Sequence, residues 1–116
     1  MWIFARDSGH THGQSLVGFT VEAADGSIGH VDRQQDQPGM QHLVVDTGVW
    51  KFGRSVLIPA GAVLAIDTRA QTVKVAPSRE EIKAAPRFAT DSETGDPDYL
   101  SAVGDYYFSL RPAPLR

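Results

Sequence analysis

His42-Leu43-Val44-Val45-Asp46-Thr47-Gly48-Val49-Trp50-Lys51-Phe52-Gly53-Arg54-Ser55-Val56-Leu57-Ile58-Pro59 is the stretch whose reading decides the fold. It reads as two apolar strands joined by a glycine-bracketed loop that carries two aromatics. Side chains alternate between the faces of a strand, so Leu43, Val45 and Thr47 share one face and Val44 and Asp46 the other. In the second strand Val56 and Ile58 face one way and Leu57 the other. Apolar groups on both faces belong to strands covered on both sides, so this pair lies at the centre of the core.

Working outward, Val17 to Ala23 alternates as a half-buried strand. Asp25-Gly26 supplies the hairpin turn, and Ser27 to Asp32 is the returning strand. Ile28 and Val31 lie three apart, which breaks period two, and a bulge near Gly29 would return both to the core face. Gln34 to Gly39 reads as a polar turn. On the other side, Pro59-Ala60-Gly61 turns the chain into Ala62 to Asp67, again apolar on both faces. Thr72 to Val75 then alternates cleanly. The expectation is a mainly β protein: a small antiparallel β-barrel of about six short strands, with short C-terminal helices. A barrel is preferred to a sandwich because closure removes exposed sheet edges.

The helices carry their own signals. Ser78-Arg79-Glu80-Glu81 is a capping box, with glutamates suited to the helix dipole, and Pro86 ends that helix. Asp96-Pro97 reads as an N-cap followed by proline at the first helical position. Tyr99, Val103, Tyr106, Tyr107 and Leu110 then recur at helical spacing, giving a stripe for docking on the barrel. The chain divides into an N-terminal arm over 1–15, a barrel with its closing helix over 16–88, and an acidic linker, short helix and tail over 89–116. In the arm, Trp2, Ile3 and Phe4 read as an edge strand or a packed arm.

Composition narrows the function classes. A chain of 116 residues supports one core, burying roughly 60–70% of the surface exposed when unfolded. With no cysteine, disulfides, thiolate metal sites and cysteine nucleophiles are excluded. Eleven Lys and Arg against fourteen Asp and Glu give a net charge of −3, and the basic residues are scattered. Nucleic-acid and membrane-surface binding both need clustered positive charge, so neither is expected. The apolar start is interrupted by charge at once, unlike a leader or a membrane span, and a soluble cytoplasmic protein is the expectation.

Possible chemistry is thin. Leu43 to Gly48 matches the hydrophobic-hydrophobic-Asp-Thr-Gly signature of aspartic proteases, short chains of which dimerise to pair two aspartates that share a proton. Against it, Val49-Trp50 would crowd the site, no glycine-rich flap hairpin follows, and Leu64 to Thr68 lacks the glycine of the second element. The plainer reading ends a strand at Asp46-Thr47 and turns at Gly48. His10 and His12 form a His-Thr-His pair without further ligands at a recognisable spacing, so no metal is expected. Glu80 and Glu81 are adjacent and cannot share a helix face. His30 and His42 lie in strands, where packed or solvated roles are the common ones. No cofactor site is evident.

Val21 to Asp32, with its Asp-Gly-Ser-Ile-Gly hairpin, resembles the opening hairpin of PRC-barrel domains. His42 to Arg54 and Val56 to Pro59 are similar to the central strands of that family, and Ser78 to Pro86 to its closing helix. The likeness spans roughly residues 16–110. It implies a small β-barrel without catalytic residues. The family takes its name from the cytoplasmic domain of the photosynthetic reaction-centre H subunit. A related barrel forms the C-terminal part of a ribosome-maturation factor, where it contacts ribosomal protein. This sequence shows neither a membrane anchor nor the second domain of that factor, so neither role carries over, and no functional residue transfers. The expected function is a non-enzymatic protein-interaction module. The alternatives are an aspartic-protease-like hydrolase using Asp46 in a homodimer, and a ribosome-assembly-type adaptor. The candidate interaction surface is Trp50 and Phe52, rimmed by Lys51 and Arg54, for an unidentified protein partner or a second copy of the chain.

Overall fold

The computed structural model describes residues 2, 4, 9, 15–37, 39–48, 55–86 and 95–110. Six strands come in chain order: β1 (Thr20–Ala23), β2 (Gly26–Gln35), β3 (His42–Asp46), β4 (Ser55–Pro59), β5 (Val63–Asp67) and β6 (Thr72–Val75). Two helices follow, α1 (Arg79–Lys83) and α2 (Pro97–Ser109). The strands form one sheet in the order β4-β3-β2-β1-β6-β5. The mainly β architecture with short C-terminal helices is as the sequence predicts. Two details differ. The β1–β6 pair is parallel, with Thr20 opposite Thr72, where every pairing was expected to be antiparallel. The ring of hydrogen bonds is also incomplete: among the described residues β4 and β5 are the two edges.

The edges nevertheless meet at one corner. Only the single 3-10 turn Ala60–Ala62 separates β4 from β5. Four steps at about 2 Å each cover roughly 8 Å, so the sheet must curl back on itself there. Inside the curl lie Val21, Val31, Leu43, Val45, Val73 and Val75, one face of each strand. Ile82 and Ala85, from α1 and the residues just past it, join the same core.

Bulges keep the alternation in phase. Val21 pairs with Gly29 but Glu22 pairs with Ser27, which leaves Ile28 as the extra residue. Ile28 and Val31 are thereby both buried, as their odd spacing predicts. Gly29 at φ +154 has a second reason to be glycine: a Cβ there would lie 2.0 Å from the Asp46 carbonyl oxygen. β2 is longer than expected, since Gln34 and Gln35 pair with Leu43 and His42 instead of turning. β1 is shorter, starting at Thr20, because Val17 and Gly18 form a turn.

The outer face of β3 and β4 is buried too, which the two-sided sequence pattern requires. Val44 pairs with Leu57 on that face, and His42 precedes them. α2 packs against β4, with Val103, Gly104 and Tyr107 buried. Trp2 is wedged between: its ring meets His42 edge-on at 5.9 Å, and a Cβ on Gly104 would come within 3.0 Å of its indole nitrogen. Trp2 and Phe4 are therefore a packed arm and not an edge strand. The Gln41 amide donates to the Trp2 carbonyl at 2.9 Å.

The helix termini are satisfied locally. Ser78 accepts from the Glu81 amide at 3.2 Å, and Glu81 accepts from the Ser78 amide at 2.8 Å, completing the capping box. The hairpin-turn residue Asp25 accepts from the Arg79 amide at 2.8 Å, tying the β1–β2 turn to α1. Asp96 caps α2 by accepting from the Asp98 amide at 3.0 Å, with Pro97 at the first position. The hydroxyls of Tyr106 and Tyr99 donate to the carbonyls of Glu81 and Pro86, so α2 holds both α1 and its exit. No helix among the described residues is long and apolar enough to cross a membrane.

Candidate interaction surface

Among the described residues the main helix contacts with the sheet are those of α2 on β4 and of α1 on β2, not on β1, β6 or β5. Val21 and Ala23 of β1 and Val73 and Val75 of β6 point into the core, so Glu22 and Lys74 between them point out. The parallel register sets Glu22 opposite Lys74, and the β5–β6 register sets Ala65 opposite the same lysine. Two shallow recesses flank this charged pair. One, of about 310 Å³, runs along Ala23, Ala24, Gly26 and Leu64; the other, of about 400 Å³, along Ala65, Ile66, Ala70 and Thr72. Glu22 and Lys74 line both.

Leu64 stands at the rim, 59% exposed. Val63 pairs with Val75 and Ala65 with Lys74, so Leu64 is the extra residue of a further bulge. Alternation from the buried Val63 points Leu64 outward, and the bulge keeps Ala65 on the same outer side. This corrects the reading of Ala62 to Asp67 as apolar on both buried faces: Leu64 and Ala65 are exposed. The signal was available. Val63 and Ile66 lie three apart, the spacing that betrays the Ile28 bulge. The bulge also blunts β5 as an edge, and Gly9 lies close to it, where a Cβ would approach the Ile66 carbonyl oxygen to 3.0 Å.

The sequence-predicted surface Trp50, Lys51, Phe52 and Arg54 lies outside the described residues, as do His10 and His12. Asp46, the residue of the protease-like motif, closes β3. Its Oδ1 accepts from the Gly48 amide at 2.8 Å, and Gly48 takes φ +71. That is an Asx turn, in which the carboxylate shapes the backbone that follows. Thr47 beside it is buried. His30 is exposed, whereas His42 is 4% exposed with Nδ1 2.8 Å from the Met40 carbonyl. Burial first, and the Arg33 charge second, hold the His42 pKa below the usual histidine value against the raising effect of that hydrogen bond. Among the described residues no three His, Cys, Asp or Glu side chains converge as metal ligands. Around Glu22, Lys74 and Leu64 the outer face thus brings together an exposed apolar side chain, two shallow recesses and a pair of opposite charges.

No family model matches the chain, and no curated protein matches it significantly in sequence. Among solved structures, a Pseudomonas aeruginosa protein named as the 16S ribosomal RNA processing protein RimM aligns at 23% identity and a TM-score of 0.46. The alignment takes in 56% of this chain and 42% of that one, so the match spans less than half the length of RimM.

Proposed function

We propose that this chain is a non-enzymatic protein-interaction module built on a PRC-type barrel, with its protein partner seated on the outer face of β1, β6 and β5. The carrying observation is Leu64, an exposed apolar side chain of β5 that lines one of the two recesses around Glu22 and Lys74. Burying a leucine contributes about 1.5–3 kcal/mol, which makes it a suitable anchor. The bulge disfavours addition of a further strand, so the partner docks through side chains, with Glu22 and Lys74 selecting charge at the centre. A ribosomal protein is one partner class within this reading. The loop that carries Trp50, Lys51, Phe52 and Arg54 is the second candidate contact, for a partner or a second copy. Asp46 serves its turn and is not a hydrolytic residue in this proposal.

The test compares tagged wild-type, Leu64→Asp and Trp50→Ala chains, each first shown to melt normally, in quantitative affinity purification. Wild type should retain one protein in stoichiometric amount, and Leu64→Asp should lose it at least tenfold. Equal retention by Leu64→Asp, or loss only with Trp50→Ala, would move the seat away from β5. Peptide-library cleavage between about pH 4 and 7 that vanishes in Asp46→Asn would replace the module with a hydrolase.

A further inference from the structure

The strand registers fix two rows of outward side chains across β2, β1, β6 and β5. One row is Ser27, Glu22, Lys74 and Ala65; the next is His30, Thr20, Thr72 and Asp67. All of them are exposed or half-buried. Glu22 and Lys74 stand side by side with opposite charge, yet among the described residues neither enters an ion pair. Such a pair is complementary to a second copy of itself. A two-fold axis running along the strands, between β1 and β6, sets Glu22 over Lys74 of the second copy and Lys74 over its Glu22. The same rotation sets Thr20 over Thr72, His30 over Asp67 and Ser27 over Ala65, so no like charges meet. An axis across the strands would instead put Glu22 on Glu22 and Lys74 on Lys74. Charge therefore selects one orientation.

Taking the docking role of this face as given, we propose that its occupant is a second copy of the chain, joined as a two-fold dimer through the Glu22–Lys74 seam. Leu64 completes the contact. The outside of a curled sheet is convex, so two copies touch along β1 and β6 and a gap opens on either side. Leu64 lies one step past the Glu22–Lys74 row, and Gly26 pairs with Ala23 at the same level on β2. The rotation carries β5 of one copy over β2 of the other, which brings Leu64 into the gap above the recess along Ala23, Ala24 and Gly26. The seam is narrow, so the dimer is a weak one, with a dissociation constant of about 10 µM to 1 mM.

Sedimentation equilibrium of the purified full chain over that concentration range tests it. Wild type should show a reversible monomer–dimer equilibrium. Glu22→Lys and Lys74→Glu each set like charges face to face twice per dimer, and each should weaken association by about tenfold or more. The combined Glu22→Lys/Lys74→Glu variant restores opposite charges and should dimerise as wild type does. An equimolar mixture of the two single variants should associate more tightly than either alone, because each then faces the opposite charge. Wild type that stays monomeric overturns the dimer, as does a dimer that the single reversals leave unchanged or that the combined variant fails to restore. Should a single variant fail to melt as wild type, the salt dependence of the wild-type constant decides, and no weakening between about 0.05 and 0.5 M salt overturns the charged seam. Monomeric wild type whose captured foreign protein is still lost in Leu64→Asp overturns the dimer and keeps the docking face. Dissociation by Trp50→Ala alone overturns both.

Discussion

Replacing Gly29 by alanine should cost more than replacing any other positive-φ glycine in the described strands and turns that stands in open space. Two effects act at this position. At φ +154 an alanine is strained by about 1–3 kcal/mol. Its Cβ would also lie 2.0 Å from the Asp46 carbonyl oxygen, 2.9 Å from the Asp46 carbonyl carbon and 3.0 Å from Thr47 Cα. Ordinary contact begins at 3.4 Å, so the end of β3 would have to retreat by about 1.4 Å. These neighbours are backbone and cannot rotate away. The retreat disrupts the His30–Asp46 pairing, and one or two lost ladder hydrogen bonds add about 1 kcal/mol each. The expected total is about 3 kcal/mol or more, a fall in melting temperature on the order of 10–15 °C. Gly48→Ala is the control. Gly48 has φ +71 and nothing within 4 Å of its built Cβ, so only strain of about 1 kcal/mol remains. Thermal melts of both variants by circular dichroism decide the matter. Equal losses would refute the argument that the close approach of Asp46 selects glycine at position 29.

Ser78→Ala removes the side-chain acceptor of the Glu81 amide and should cost about 1 kcal/mol, read as a lower urea midpoint with an unchanged slope. His42 sets a pH dependence whose sign follows from its lowered pKa. The unfolded chain binds the proton more readily, so the stabilisation is present above about pH 6.5 and is lost as pH falls through the folded-state value. Urea midpoints at several pH values should show this slope in wild type and a flatter one in His42→Gln; parallel slopes would remove His42 as the cause.

The parts of the fold that were legible in the sequence are those set by local geometry. Asp25-Gly26, Ser78 with Glu81, and Asp96-Pro97 each satisfy a nearby backbone group, so their residue types state their role. The two-sided apolar pattern of β3 and β4 likewise required a second covering layer. What it could not state was the identity of the cover. Gly104 reads as a weak point in a helix, yet it is the seat for Trp2, about a hundred positions away in the chain. The parallel β1–β6 pairing is hidden for the same reason, since either strand alone alternates identically whichever way its neighbour runs.

Leu64 is a different case, because its signal was local. Apolar residues at Ile28 and Val31 implied a bulge only because the residues between them, Gly29 and His30, were plainly unsuited to a core. Between Val63 and Ile66 the intervening residues are Leu64 and Ala65, both acceptable in a core, so the same spacing was masked by composition. Hydropathy records what a side chain would prefer; the register decides what it gets. An outward-facing leucine forgoes part of the about 1.5–3 kcal/mol that full burial contributes, and a polar residue at position 64 would forgo nothing. Leucine at that position fits the docking role proposed for this face, and the isolated barrel gains little from it.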